Sequence, residues 1–444
     1  MALCRGGRAV GICEKLMRIL WLNSGLLPRA VEALGDAKSV TSGWLGSMQE
    51  ALLQIDSTLE MCALCLDHRP CDVKIGNVRY VSFGERGKTW YKKVPRSIEL
   101  QCKRVIEEFS PDVIHVQGTE YFYGCMSEDV YCGKPVVVSI QGVISGCHPH
   151  FTGGLTPAET WWTKLNLRLL RYGATFLREQ TFWREKRAVQ EAKTIRQQRY
   201  FIGRTEWDEA WVRYFNPKAK YFHVNETLRE PFYLVRRDRK AIKPHTIYCS
   251  AAAGYALKGA HWLLRAVAAL KNEFPDIQLR IVAAKDKLDK NRSFMAKLKD
   301  DAYGMYLRRL VRDLGIENNV VALPALPAEG VAEELKNAEL FVLPSLCENS
   351  PNSLGEAMLV GTPAIATFVG GTPSILKDGI EGKLVPSCDP AALAEAIRRW
   401  FMHPEEAEAC VALARATALA RHDGRRNAKE TLAVYETIST KLRV

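Results

Sequence analysis

Short apolar runs alternate with helix-sized segments in two separate stretches of this chain, residues 17–143 and residues 246–400. Parallel strands need a helical crossover between them, so this alternation predicts two α/β domains, each with a doubly wound parallel sheet. Such sheets bind ligands at the carboxyl ends of their strands. Two domains of this kind that face each other would place both sets of binding loops in a central cleft.

The length of the chain supports two domains, because 444 residues exceed what a single hydrophobic core usually holds. Residues 1–16 lack the apolar core of a signal peptide, and we expect a disordered extension there. The N-terminal domain is predicted to cover residues 17–240 and the C-terminal domain residues 241–420. The boundary lies in the basic segment 236–244, which ends in proline before an apolar run.

Glu348 and Glu356 flank the segment ENSPNSLGE, which follows an apolar run (338–345) that predicts a buried strand and precedes a predicted helix. The first amides of a helix have no partner within it, and the helix dipole favours negative charge at that end. The turn therefore predicts an anion site suited to a diphosphate. Its amides belong to Asn352, Ser353 and Leu354.

A purely structural interpretation of the same turn is a capping box. Ser353 and Glu356 have the Ser-x-x-Glu spacing with which a helix start satisfies its own open amides. The following residues favour a binding site instead. They predict a strand, a glycine loop and a further strand, at residues 361–367, 369–373 and 378–385.

With this series of segments, the second half of the chain resembles the donor-binding half of the retaining glycosyltransferases of family 4, whose two-domain architecture is called GT-B. The first half resembles the same family in matching order. Its matching segments are residues 17–22, 42–46, 111–117 and 135–142. Residues 204–208 and 225–229 are similar to segments of bacterial members that assemble polysaccharides.

The resemblance implies a retaining transfer of a sugar from a nucleotide-sugar donor to a hydroxyl of a glycan or lipid-linked saccharide, in cell-surface polysaccharide biosynthesis. Two residues are implied to be catalytic. Glu348 would orient sugar hydroxyls and stabilise oxocarbenium charge, and Lys258 would hold the departing diphosphate. The departing phosphate oxygen would itself deprotonate the acceptor on the same face. The nucleotide sugar is the substrate, and neither a metal nor another cofactor is implied.

The resemblance also implies further donor contacts. Glu356 is expected to face the ribose, and Gly259 completes the phosphate-binding Lys-Gly pair. Gly43 and Gly46 are expected to face the donor phosphate from the first domain. A helix within residues 421–444 is expected to cross back onto the N-terminal domain, as is common in this fold.

The chain departs from the family pattern at several positions. Residues 250–254 stand where an arginine is usual, and Arg204 is our candidate for the missing cation. Many members have a histidine after the fourth strand, where this chain has Gln141 and Gly142. A neutral amide is therefore expected to contact the sugar, with His148 on the acceptor side.

Ser374 replaces an acidic residue that often follows the Gly-Gly-x-Pro sequence. This and the other departures favour a rival function, that of a catalytically silent carbohydrate-binding or scaffolding subunit of a glycan-assembly complex. The retained Lys258, Glu348 and Glu356 favour the enzyme.

Thirteen cysteines raise the question of a metal site. Cys62, Cys65, His68 and Cys71 have ligand-like spacing. Cys62 and Cys65 lie in an apolar run, 59–66, that predicts a buried strand, and a second ligand pair is missing. We interpret these two as core residues. The scattered remainder is typical of reduced thiols in a cytosolic protein.

The net charge of +12 is concentrated in residues 155–200, where ten basic and four acidic residues give +6. Tryptophan, leucine and phenylalanine interleave with these charges, which indicates either docking to an anionic membrane surface or a solvated basic face over a packed apolar one. Nucleic acid is not expected, because no nucleic-acid motif accompanies the charge. Since no apolar stretch reaches 18 residues, we expect a cytoplasmic protein, with the inner face of the cytoplasmic membrane as an alternative site.

Overall fold

The computed structural model describes residues 16–35, 43–84, 94–161, 180–250, 255–282, 288 and 302–440. Most of the predicted extension 1–16 lies outside these residues. Residues 251–254 of the segment that lacks the usual arginine, and residues 162–179 of the basic segment, also lie outside them.

The first domain contains an eight-stranded sheet. In chain order its strands are β1 (Arg18–Asn23), β2 (Glu60–Cys65), β3 (Cys71–Ile75), β4 (Val78–Ser82), β5 (Val113–Gln117), β6 (Val136–Ser139), β7 (Tyr200–Gly203) and β8 (Lys220–His223). Their spatial order is β3-β4-β2-β1-β5-β6-β7-β8. All neighbours are parallel except β3 and β4, an antiparallel pair at the edge that the sequence did not predict.

Helices cover both faces of this sheet. The helices of this part of the chain are α1 (Pro28–Ala33), α2 (Gly43–Ile55), α3 (Arg96–Phe109), α4 (Ile144–Cys147), α5 (Pro157–Thr160), α6 (Val189–Gln197), α7 (Glu206–Phe215) and α8 (Pro231–Leu234). Among them, α5 contacts the second domain through the Glu159–Arg265 ion pair and α8 through Phe232. Alternate residues of β1 enter opposite cores, Ile19 and Trp21 on one face and Leu20 and Leu22 on the other. Between its polar ends, a strand covered on both faces is therefore a continuous apolar run.

The second domain contains a six-stranded sheet in which every pairing is parallel. Its strands are β9 (Thr246–Cys249), β10 (Gln278–Val282), β11 (Val320–Leu323), β12 (Leu340–Leu343), β13 (Ala364–Thr367) and β14 (Lys383–Val385), in the order β11-β10-β9-β12-β13-β14. Its helices are α9 (Ala260–Leu270), α10 (Ala302–Asp313), α11 (Ala328–Asn337), α12 (Asn352–Val360), α13 (Pro390–Met402) and α14 (Pro404–Arg421).

The last helix, α15 (Gly424–Thr440), packs on the first domain rather than the second. The hydroxyl of Tyr435 accepts a hydrogen bond from the indole of Trp21 at 3.1 Å and lies 2.7 Å from Nδ1 of His115. Burial, with a smaller contribution from Arg204, lowers the pKa of His115 to about 3, so this histidine is neutral. The sequence-based interpretation of His115 as a core residue is confirmed.

Cys62 and Cys65 are buried in β2, as predicted. No group of three or more potential metal ligands occurs within the described ranges. Among the helices that the structure describes, none combines the length and the apolar character that crossing a bilayer requires.

Candidate functional site

A cavity of about 310 Å³ lies between the two domains. The first domain contributes Trp44, Gln141, Arg204 and Glu226. The second contributes Cys249, Ser250, Lys258, Leu343, Pro344, Ser345, Glu348, Ser350, Pro351, Asn352 and Ser353. Most of these residues follow the carboxyl end of a parallel strand, which is where such sheets bind ligands. The structure therefore brings six of the predicted site residues together.

Lys258 and Glu348 form an ion pair in this cavity. The ammonium Nζ lies 2.7 Å from Oε1 of Glu348, and the hydroxyl of Ser345 donates to the same oxygen at 2.7 Å. Burial alone would lower the pKa of Lys258, but the attraction of Glu348 outweighs it and the pKa is raised. Lys258 therefore carries its positive charge at neutral pH.

Gly259 fixes the position of Lys258. Its φ angle is +73°, and a Cβ added there would lie 1.9 Å from the carbonyl oxygen of Pro344. Only glycine fits both the left-handed conformation and the close approach to the end of β12. The predicted Lys-Gly pair thus has a steric basis, although Gly259 does not line the cavity.

The anion site predicted at the start of α12 is present in part. The helix begins at Asn352 with Pro351 as its N-cap, and no side chain caps it. The capping-box interpretation of Ser353 is therefore wrong. The amide of Leu354 donates to the carbonyl of Pro351 at 3.0 Å, and its side chain is in the core. Asn352 and Ser353 line the cavity, and as the first two residues of the helix they have no intrahelical acceptor.

Glu356 does not line the cavity. It is buried, and its Oε1 accepts a hydrogen bond from Nη2 of Arg229 at 2.9 Å. Burial raises the pKa of Glu356, and the opposing effect of Arg229 does not cancel this shift. The sequence singled out residues 225–229 but did not predict that Arg229 pairs with Glu356.

Gly43 and Gly46 are part of helix α2 and not of a glycine loop that faces the cavity. A Cβ on Gly43 would lie 2.8 Å from Cδ of Arg229, and one on Gly46 would lie 3.3 Å from Pro28. Both glycines therefore allow close packing. Trp44, between them, is the residue that lines the cavity, and sequence reasoning missed it.

Arg204 lines the cavity, but its charge is balanced. Its Nη2 lies 2.7 Å from Oε1 of Glu226, and its Nη1 donates to the carbonyl of Ile140 at 3.0 Å. The guanidinium also lies 5.2 Å from the ring centroid of Trp44. A second cation thus lines the cavity, but it already has a buried acidic partner, Glu226, that the sequence did not predict.

Asn349, next to Glu348, joins the two domains. Its side chain accepts from the hydroxyl of Thr205 at 2.8 Å and donates to Oδ2 of Asp208 at 3.0 Å. Behind it, a Cβ on Gly370 would lie 2.0 Å from the carbonyl oxygen of Glu348. This packing holds the catalytic candidate Glu348 in a fixed place relative to the first domain.

The three residues predicted to contact the sugar or the acceptor lie at different places on the first domain. Gln141 lines the cavity. Gly142 lies beside a carboxyl group that the sequence did not single out, since a Cβ there would be 3.2 Å from Oε1 of Glu120. Burial raises the pKa of Glu120 to about 7, with nearby Glu191 acting in the same direction. His148 lines a different surface groove on the same domain.

A pair of thiols also crosses the domain interface. Sγ of Cys147, at the end of α4, lies 2.8 Å from Sγ of Cys347, which precedes Glu348. The hydrogen bond to Cys347 and burial raise the pKa of Cys147 well above its ordinary value. Both thiols are free, and the contact links the wall of the first domain to the loop that carries Glu348.

Comparison with known proteins agrees with this geometry. Residues 235–417 match the family model described as Glycosyl transferases group 1. The chain is 36% identical over 149 residues to the D-inositol 3-phosphate glycosyltransferase of Streptomyces coelicolor, which is 34% of this chain and 31% of that protein. It is 29% identical over 184 residues to the protein of the same name from Corynebacterium urealyticum, 41% of each chain. The matches therefore span less than half the length of these relatives.

Solved structures extend the likeness to nearly the whole chain. Sucrose-phosphate synthase from Thermosynechococcus elongatus superposes with a TM-score of 0.71 at 18% identity, covering 96% of this chain and 100% of that one. The chain has the GT-B fold. Another GT-B neighbour, Anabaena HepE in complex with UDP and glucose, has a TM-score of 0.63 at 14% identity and covers 95% of this chain and 100% of its own. The cavity between the GT-B domains contains the Lys258–Glu348 pair.

Proposed function

We propose that this protein is a glycosyltransferase that moves a sugar from a nucleotide-sugar donor to a hydroxyl of a glycan or lipid-linked saccharide. The observation that carries the proposal is the Lys258–Glu348 ion pair beside the uncapped start of α12, inside the region that matches the group 1 family model. The neighbour that was solved with UDP and glucose supports the choice of donor.

The donor diphosphate is proposed to bind between Lys258 and the amides of Asn352 and Ser353. Two open amides, the positive end of the helix dipole and one ammonium group provide a site that favours negative charge. These groups supply the stabilisation that a departing diphosphate needs, so we propose that no metal is required. Glu356 is buried outside the cavity and is bonded to Arg229, so the proposed donor site does not include it.

The transfer is proposed to retain the anomeric configuration. Glu348 is held by Lys258 and Ser345 at the wall of the cavity, where its charge would stabilise an oxocarbenium-like transition state. The departing phosphate oxygen would accept the proton of the acceptor hydroxyl on the same face. Gln141 would bind sugar hydroxyls from the first domain.

The biological setting is a proposal drawn from the resemblance of residues 204–208 and 225–229 to polysaccharide-assembly members. It places the protein in cell-surface polysaccharide biosynthesis, at the cytoplasmic side of the membrane. The similarity to proteins named D-inositol 3-phosphate glycosyltransferase supports an acceptor that carries a phosphate group.

Titration of the protein with UDP, GDP and ADP by calorimetry tests the donor site, and incubation with the matching nucleotide sugars tests turnover. We expect one nucleoside diphosphate to bind and the matching nucleotide sugar to be consumed. NMR of the product should show the same anomeric configuration that the sugar has in the donor. Absence of binding by every nucleotide would refute the proposal. Binding without hydrolysis or transfer would favour the rival, a silent carbohydrate-binding or scaffolding subunit.

A further inference from the structure

The thiols of Cys147 and Cys347 meet where the first domain touches the loop that carries Glu348. Their Sγ atoms are 2.8 Å apart, whereas a disulfide holds its sulfurs at about 2.05 Å. Closure to a covalent bond therefore needs a shift of less than about 1 Å. The two residues are 200 positions apart in the sequence, so the fold and not the local chain geometry brings them together.

The backbone that carries Cys147 is fixed by hydrogen bonds. The buried carboxylate of Glu191 accepts from the amide of Ile144 at 2.9 Å and from the amide of Ser145 at 2.7 Å, which anchors the start of α4. The amide of Cys147 donates to the carbonyl of Val143 at 2.9 Å. Cys147 therefore ends a short helix whose first turn is held by a buried acid.

The backbone on both sides of Cys347 is fixed as well. The amide of Leu346 donates to the carbonyl of Leu257 at 2.8 Å. The carbonyl of Glu348 accepts from the amide of Gly371 at 3.0 Å. Because the chain is held at both thiols, the pair is prearranged for bond formation while the two domains are in contact.

The two thiols differ in exposure. Cys147 is partly exposed, while Cys347 is only 3% exposed. An oxidant from solvent therefore reaches Cys147 first, and Cys347 is placed to attack the oxidised sulfur. Because the hydrogen bond to Cys347 and burial raise the pKa of Cys147, its thiolate fraction is small at neutral pH and the first oxidation step is slow.

The position of the thiol pair bears on ligand exchange. The cavity of about 310 Å³ has walls from both domains, so entry and release of a large donor require these walls to separate. Hydrogen bonds that cross the interface, such as those of Asn349 with Thr205 and of Trp262 with the carbonyl of Gly153, can break and re-form. A disulfide would not break with them.

We propose that Cys147 and Cys347 are an oxidative modification site, and that the disulfide between them stops glycosyl transfer by tying the two domains together beside Glu348. The effect on transfer rests on the proposed function, whereas formation of the cross-link does not.

The oxidant is a peroxide. Hydrogen peroxide oxidises the thiolate of Cys147 to a sulfenic acid and is reduced to hydroxide, which becomes water with the proton that the thiol lost. Cys347 then attacks the sulfenic sulfur, loses its thiol proton and displaces hydroxide. The S–S bond forms and a second water is released, so two thiols are oxidised and one peroxide is reduced.

Reduced wild type treated with hydrogen peroxide provides the test. Consumption of nucleotide sugar and the release rate of bound nucleoside diphosphate should both fall at least roughly tenfold, because domains joined by a covalent bond separate only through local unfolding. Dithiothreitol should restore both rates. Peptide mapping without reductant should find the two cysteines joined in the slow protein and separate after dithiothreitol.

Cys147→Ser and Cys347→Ser cannot form the bond. When reduced, both variants should turn over as wild type does, because neither side chain lines the cavity, and peroxide should leave them active. Cys388→Ser is the matched control, since it removes an exposed thiol of the second domain and keeps the pair. This variant should lose and regain turnover as wild type does.

The failure of this proposal differs from that of the proposed function. If reduced wild type binds no nucleoside diphosphate, the proposed function fails, while the cross-link is still measured by peptide mapping and by a higher Tm of the oxidised protein, because the closed loop restricts the unfolded chain. Three results would overturn the present proposal. They are no Cys147–Cys347 disulfide after peroxide, a disulfide that leaves turnover and nucleotide release unchanged, and an equal loss of turnover in Cys147→Ser.

Discussion

Replacing Lys258 by alanine removes the ammonium group that lies 2.7 Å from Glu348 in the interdomain cavity. In the proposed complex this ammonium makes a charged hydrogen bond to the donor diphosphate. Such a bond contributes about 1.5–3 kcal/mol, which corresponds to a roughly 10- to 150-fold weaker Kd for the nucleoside diphosphate. We expect the upper part of this range, because Glu348 would then face the diphosphate without a neighbouring cation.

Calorimetry of UDP or whichever nucleotide binds best measures this effect. Lys383→Ala is the matched control, because Lys383 pairs with Asp378 at 3.1 Å in the same domain, is 43% exposed and does not line the cavity. That variant should bind nucleotide as wild type does. An unchanged Kd in folded Lys258→Ala would refute the assignment of Lys258 to the donor site.

Stability must be measured in the same variant. Lys258→Ala leaves the carboxylate of Glu348 mostly buried with Ser345 as a remaining donor, which we expect to cost about 1–3 kcal/mol. The double variant K258A/E348Q should recover much of this loss in urea unfolding, but it should not recover nucleotide binding. Recovery of both would mean that Lys258 acts only by neutralising Glu348.

Four further predictions concern catalysis, protonation, metal and thiol chemistry. Glu348→Gln should lower kcat by roughly 100-fold while the donor Kd changes far less, because its charge matters as positive charge develops on the sugar; equal losses in both would contradict this role. Burial raises the pKa of Glu120 from 4.5 to about 7, so the folded state binds its proton more readily than the unfolded state and this contribution to stability falls as pH rises from about 4.5 to 7. Glu120→Gln should flatten thermal stability across that window, and an unchanged pH profile would show that this carboxyl is solvated. Incubation with EDTA should leave turnover intact, and loss that a divalent ion restores would contradict the proposed metal independence. Hydrogen peroxide should oxidise Cys147 and Cys347 to a disulfide, with reduction of the peroxide to water and a mass loss of two hydrogens; peptide mapping that finds neither cysteine joined, with Cys388 as the exposed control, would contradict the geometry.

The sequence by itself predicted the alternation of strands and helices in two α/β domains and much of the lining of the cavity. The run LFVL predicts β12 because a strand covered on both faces must be apolar throughout. Lys258, Glu348, Asn352 and Ser353 meet because the loops that follow neighbouring parallel strands emerge at one edge of the sheet. These conclusions need only local patterns and the geometry of parallel sheets.

The tertiary structure alone decided which charges are paired. Arg204 pairs with Glu226, and Arg229 pairs with Glu356. The sequence had instead predicted that Glu356 contacts the ribose and that Arg204 contacts the phosphate. The tertiary structure also decided where α12 begins. A capping box would need Ser353 at the N-cap position, but Pro351 is the N-cap.

The tertiary structure also decided the contacts between residues that are far apart in the sequence. Tyr435 reaches His115, and Cys147 reaches Cys347, across hundreds of residues of sequence. Hydrophobic periodicity specifies which face of an element is buried, but it does not specify which distant element covers that face. Side-chain partners depend on how separate elements pack, so the sequence predicted where the site lies while only the fold revealed which of its charges are already neutralised.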